Sequence, residues 1–203
     1  PIVTTIHSDY KLDFTENLYK KYIYTWLNTI ALKFIDYYIA VSENFKNMLI
    51  ERGFKVNLIY TVYNTIDFEK ELNILPKDEF IKKHKLSVED KTIIGIIGRF
   101  DYVKGHEVFI NAAAQILKTR KDVIFLLAGE GIEKNNLVQQ TKKLGISKNV
   151  FFIGFIEDIY SFINIIDINV LSSYSESFPY VLLEGARLKK ATVSTNVGGI
   201  SDL

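Results

Sequence analysis

Eight short, near-continuously apolar runs rich in β-branched residues recur along the chain, at Ile2–Ile6, Tyr37–Val41, Val56–Tyr60, Thr92–Ile97, Val123–Ala128, Val150–Ile153, Ile168–Leu171 and Ala191–Thr195. Strands that are apolar on both sides, with little alternation, belong to sheets covered on both faces. Between the runs lie segments long enough for helices: Leu12–Ile35, Glu43–Arg52, Gly105–Thr119, Glu133–Leu144, Asp158–Ile163 and Pro179–Leu188. Gly53 and Gly145 follow two of them as C-terminal caps would, and Pro179 suits a first helical turn. Strand and helix alternating at this spacing predict a doubly wound, parallel α/β sheet.

The rhythm breaks once, over the polar and charged residues 64–90, which contain Pro76 and a short helical stretch near Lys77–His84. This predicts three parts: residues 1–63, a connection at 64–90, and residues 91–203. The last part carries five strands and four helices, nearly a complete Rossmann-like domain, and the first carries too few elements to close one. The chain starts at Pro1 and stops just after Gly198-Gly199, so both ends read as cut from something longer.

Composition narrows the chemistry. With 48% apolar and 24% charged residues the 203-residue chain can bury a core, which excludes a disordered tail or a fibre. The absence of cysteine excludes disulfide scaffolds, thiolate metal sites and thiol nucleophiles, and fits a reducing compartment. A net charge of +1, with neither half a basic arm, gives no field for nucleic acid. Its opening lacks the basic and apolar regions of a signal peptide. No apolar stretch approaches the ~18–20 residues that span a bilayer. Leu18–Ile35 mixes aromatics with lysines; a core-packed helix with snorkelling lysines is the favoured reading, and a peripheral membrane contact the alternative.

The motifs with chemistry sit where strands end. After Thr92–Ile97 come Gly98-Arg99 and Lys104-Gly105, two cations beside a helix start, which suit a diphosphate or else a solvated surface. The G-x-G-x-x-G spacing of a nicotinamide site is not met. Gly129-Glu130-Gly131 after Val123–Ala128 allows close approach of a ligand to backbone, or is a plain turn. Glu176 lies in the polar loop after Ile168–Leu171, and Glu184 about five residues into the next helix. Carboxylates repel phosphate but accept from hydroxyls, so this pair suits a sugar-bearing ligand. His84 and His106 read as solvated, His7 as a strand-end side chain that is either functional or a packed polar tip, and Ser42 as a helix N-cap.

Taken together, Gly98-Arg99…Lys104-Gly105, Gly129-Glu130-Gly131, Phe152-Ile153-Gly154 and Glu176-(x7)-Glu184 resemble glycosyltransferase family 4, the retaining nucleotide-sugar enzymes of the two-domain GT-B fold. Thr5-Ile6-His7, Ile39-Ala40-Val41-Ser42-Glu43 and Asn64-Thr65-Ile66-Asp67 extend the resemblance through the first part. The family commonly has glycine where Thr65 stands, and glycine or proline at 179.

The resemblance implies a retaining hexosyltransferase. It would move a sugar from a nucleotide-sugar, first a UDP-sugar, to a saccharide or lipid-linked acceptor. Arg99 and Lys104 would hold the diphosphate, Glu184 the ribose hydroxyls, and Glu176 the donor sugar, with His7 reaching that sugar. Gly98, Gly129, Glu130 and Gly131 would line the donor cleft, Ile153 and Gly154 would sit by the base, and backbone amides near Phe178 and Pro179 would cap a phosphate. Fixed cations can stabilise the leaving diphosphate with no required metal or cofactor, and no residue reads as a dedicated nucleophile, so departure and attack on one sugar face are expected. Such an enzyme would work in the cytoplasm, or at the inner face of the membrane, in surface polysaccharide or glycolipid synthesis. A nucleotide-sugar epimerase or a non-catalytic nucleotide-sugar-binding subunit are the alternatives.

Overall fold

All eight apolar runs contribute strands, and every pairing among them is parallel. The computed structural model describes residues 1–9, 11, 18–88 and 90–203. It divides into a first unit of Pro1–Asn64, Glu176–Pro179 and Asn196–Leu203, and a second of Thr65–Ser175 and Tyr180–Thr195.

In the first unit, β1 (Val3–Ile6), β2 (Tyr37–Ala40) and β3 (Ile59–Thr61) form a sheet in the order β1-β2-β3. The run at Val56–Tyr60 begins as a 3-10 turn, Val56–Leu58, and becomes strand only at Ile59. Helix α1 (Leu18–Leu32) joins β1 to β2, and α2 (Glu43–Glu51) follows β2. The core gathers Ile6, Tyr38, Ala40, Phe45, Leu49 and Ile59. Ser42 caps α2 as expected, its hydroxyl accepting from the Phe45 N–H at 3.2 Å. Asp202 adds a second cap, accepting from the Glu43 N–H at 2.7 Å.

The packed-helix reading of Leu18–Ile35 needs correction. Leu32 and Ile35 touch the core, but Tyr19, Tyr22, Trp26 and Phe34 are between 64% and 77% exposed. The helix expected from Leu12 is described only from Leu18; residues 12–17 lie outside the described residues.

In the second unit, β4 (Thr92–Ile97), β5 (Val123–Ala128), β6 (Val150–Gly154), β7 (Ile168–Leu171) and β8 (Ala191–Ser194) are ordered β6-β5-β4-β7-β8. This is the doubly wound arrangement, and it explains why β4 and β5 are apolar throughout. Ile94, Ile96, Phe125 and Leu127 face a core shared with α4 (His106–Thr119) and α5 (Lys134–Lys143). Ile93, Ile124 and Leu126 face an opposite core with α3 (Lys77–Lys83) and α6 (Ile159–Ile165). Residues of the polar stretch before β4 contribute to that second core through Phe80 and Val88, both buried. Helix α7 (Tyr180–Arg187) joins β7 to β8. Gly53 and Gly145 take positive φ, +87° and +69°, just past α2 and α5. The left-handed conformation is what their capping role requires.

Candidate functional site

In an open doubly wound sheet, ligands settle outside the carboxyl ends of the strands where the order reverses. Here the reversal lies between β4 and β7, neighbours from which the chain departs in opposite directions. The loops that follow these two strands are tied together. Gly105, in the left-handed conformation at φ +61°, precedes α4, and the Ser172 hydroxyl at the end of β7 donates to its carbonyl at 2.8 Å. The Tyr174 N–H reaches the Val103 carbonyl at 2.8 Å, and the Tyr174 hydroxyl reaches Glu107 at 2.8 Å.

Gly98, Arg99 and Lys104 stand in this loop system. Asp101 starts a 3-10 turn over Tyr102–Lys104 and accepts from the Lys104 N–H at 3.1 Å. The Arg99 side chain is 81% exposed and pairs with Asp101 at 3.0 Å. One carboxylate thus orders both the arginine and the turn bearing the lysine. Sequence reasoning misses Asp101, although an aspartate two residues after an arginine and three before a lysine is a capping pattern that points to it.

Gly129 and Gly131 make room for the chain's own backbone. A Cβ on Gly129 (φ +144°) would lie 1.9 Å from the Gly98 carbonyl oxygen, and one on Gly131 would lie 2.3 Å from that of Phe100. The Phe100 N–H donates to the Glu130 carbonyl at 2.9 Å, so the two loops support each other. Glu130 itself is exposed and pairs with Lys134 at 2.7 Å. Beside it, the carbonyl of Gly154, a residue at φ +84°, accepts from the Gly129 N–H at 2.8 Å, and Ile153 is half-buried at the end of β6. Gly98, Arg99, Lys104, Gly129, Glu130, Gly131, Ile153 and Gly154 therefore share the carboxyl-end rim of β4, β5 and β6.

His106 departs from expectation. It is 2% exposed, not solvated, with its ring edge-on to Phe100 at 4.9 Å between centroids. Neither ring nitrogen has a hydrogen-bond partner, and burial pushes its pKa down to about 4. His84 is also less solvated than expected, half-buried and stacked on Phe80 at 4.3 Å. Glu184, on α7, is half-buried, and that burial raises its pKa.

The remaining candidates lie in the first unit. His7 is exposed just past β1. Glu176 is buried at 8% exposure, where the sequence suggested a side chain presented by an open loop. Its turn packs on the two closing glycines: Cβ atoms on Gly198 and Gly199 would lie 1.7 and 1.8 Å from the Glu176 and Ser177 carbonyl oxygens. Phe178 is buried against Tyr63 at 5.2 Å, and its carbonyl accepts from the Asn64 side chain at 2.9 Å. Pro179 has no N–H, so a phosphate at this turn would have only neighbouring amides to use.

Among the described residues no group of three or more His, Asp or Glu is clustered to hold a metal ion, and no helix is long and apolar enough to cross a membrane.

The chain matches the family model for glycosyl transferases group 1 over residues 77–203, and that for glycosyltransferase family 4 over residues 1–70. It belongs to the group 1 glycosyl transferases. Within this family it is similar to the O-antigen biosynthesis glycosyltransferase WclY of Escherichia coli, 28% identical over 97% of this chain and 54% of that one. It is also similar to the phosphatidylinositol N-acetylglucosaminyltransferase GPI3 subunit of Saccharomyces cerevisiae, 27% identical over 98% of this chain and 44% of that one. The N-acetyl-alpha-D-glucosaminyl L-malate synthase of Bacillus anthracis is 32% identical over 83% of this chain and 43% of the enzyme. The chain thus spans about half the length of the curated relatives it matches. Its fold matches that of Anabaena Alr3699/HepE, crystallised with UDP and glucose, with a TM-score of 0.82 and 24% identity over 100% of this chain and 55% of that one. The GT-B architecture expected from the sequence is therefore the architecture of this family member, present in part.

Proposed function

We propose that this chain carries the donor half of a retaining glycosyltransferase that moves a sugar from a UDP-sugar to a saccharide or lipid-linked acceptor. Residues 91–203 are assigned to donor binding, 1–63 to the acceptor side and 64–90 to the connection. Support comes above all from the Gly98–Lys104 loop at the switch point between β4 and β7, where Asp101 pairs with Arg99 and caps the turn that carries Lys104. The solved relatives crystallised with UDP and with UDP-glucose favour the uridine donor.

In this reading Arg99 and Lys104 bind the diphosphate and stabilise the charge it gains on leaving. Glu184 accepts from the ribose hydroxyls. Gly98, Gly129, Glu130 and Gly131 line the donor cleft, Ile153 and Gly154 lie by the base, and the turn at Phe178 and Pro179 borders a phosphate. Glu176 and His7 are assigned to the donor sugar. The bond from the anomeric carbon to the diphosphate oxygen breaks, and the bond to the acceptor oxygen forms on the same face. The acceptor's proton passes to the departing diphosphate. The reaction needs no resident cofactor or required metal in this reading. Surface polysaccharide or glycolipid synthesis on the cytoplasmic side is the proposed setting, which the name of the O-antigen relative favours.

The test is a panel of UDP-, GDP- and ADP-sugars, read by thermal shift and by release of nucleotide. Stabilisation by the uridine compounds alone, with slow donor hydrolysis, is expected. Preference for another base would overturn the uridine assignment, and binding without any turnover would favour a binding subunit. Full turnover in Glu176→Gln would remove the role given to that side chain.

A further inference from the structure

Asn169 is an oddity inside β7. Its strand lies between β4 and β8, in register with Gly95 on one side and Thr192 on the other, and its side chain is fully buried. A buried amide needs partners for its donors and its acceptor. The Asn169 side-chain NH2 donates to the Val181 carbonyl of α7 at 3.2 Å, while its Oδ1 has no partner. Helix α7 can approach this amide because residue 185 is glycine. A Cβ there would lie 2.8 Å from Asn169 Nδ2 and 3.5 Å from Thr192 Oγ1. Either β-carbon contact or loss of the amide would change how α7 rests on the sheet.

Glu184 is the residue before Gly185 and three after Val181, so it lies on the turn that this contact fixes. We propose that Asn169 is a positioning residue which, together with Gly185, sets the seat of α7 on β7 and β8 and thereby the place of the Glu184 carboxylate. The inference rests on the assignment of Glu184 to the ribose hydroxyls. It adds what determines their recognition: a polar contact under the helix, from a residue that itself touches no ligand.

The test compares UDP with 2′,3′-dideoxy-UDP by titration calorimetry, since the ratio of their affinities reads the hydroxyl contact alone. The protein should favour UDP by at least about tenfold, the equivalent of about 1.4 kcal/mol. Gly185→Ala should reduce that ratio to below about threefold while leaving dideoxy-UDP affinity within about twofold, since the diphosphate loop is untouched. Asn169→Ala combined with Gly185→Ala makes space for the added methyl and should restore part of the ratio. If Gly185→Ala does not fold, Asn169→Ala alone probes the same contact from the sheet side and should also lower the ratio. An equal affinity for the two nucleotides in the unaltered protein would remove the ribose assignment of Glu184 and the inference with it. A clear ratio that folded Gly185→Ala or Asn169→Ala leaves unchanged would overturn the inference alone.

Discussion

A methyl group on Gly105 would lie 2.1 Å from the carbonyl oxygen of Ser172, the residue that follows β7. The two loops at the switch point are therefore in backbone contact, closed by the Ser172 hydroxyl on the Gly105 carbonyl. Gly105→Ala combines this clash with a left-handed conformation that disfavours alanine by about 1–2 kcal/mol. It should lower unfolding stability by at least about 2 kcal/mol in urea titration and weaken UDP binding as well.

Arg99 and Lys104 are predicted to act on the diphosphate alone. A hydrogen bond to a charged group is worth about 1.5–3 kcal/mol, so alanine at either position should weaken UDP about 10- to 100-fold. Uridine affinity should stay within about twofold. Arg99 is strongly exposed, so its replacement should leave the urea unfolding midpoint nearly unchanged. Equal losses for uridine and UDP would contradict the assignment.

His106 should make the second unit acid-sensitive. Its folded pKa of about 4 lies below its ordinary value of 6.5, with burial dominant, Asp101 opposing it and Lys104 adding to it. The unfolded chain therefore binds more protons between these values, and stability falls as pH drops from about 6.5 towards 4. The loss between about pH 7 and pH 5 should be about 2 kcal/mol. His106→Phe should flatten that dependence in denaturation curves at the two pH values.

The raised pKa of Glu184 gives a binding signature. A carboxylate accepts from two hydroxyls, and its protonated form loses acceptor capacity. UDP affinity should therefore begin to fall, on acidification, at a higher pH than an ordinary glutamate would dictate. Glu184→Gln should bind more weakly at neutral pH and lose this pH dependence, as calorimetry from mildly acidic to neutral pH would reveal.

Asn64 holds the Phe178 carbonyl from within the first unit. Asn64→Ala should cost about 1 kcal/mol of stability. Because the turn from Glu176 to Pro179 would loosen, both donor hydrolysis and UDP affinity should fall several-fold, read by nucleotide release and calorimetry.

Local signals are legible in the sequence because their causes are local. Ile93, Ile94 and Ile96 announce a strand covered on both faces, Ser42 and Gly53 bound α2 by capping chemistry, and Gly98, Arg99 and Lys104 mark the loop after β4. Such patterns suffice for the parallel doubly wound order and for the family. The rest depends on residues distant along the chain. Burial of His106 depends on Phe100 and the loop around it, burial of Glu176 on packing with Gly198 and Gly199, and exposure of α1 on the absence of apolar cover for Tyr22 and Trp26 among the described residues. The role of Asn169 is hidden for the same reason: one asparagine in an apolar run gains meaning only when a helix carbonyl and a glycine meet it. Periodicity is written residue by residue, whereas steric contact and desolvation exist only once distant segments share one volume.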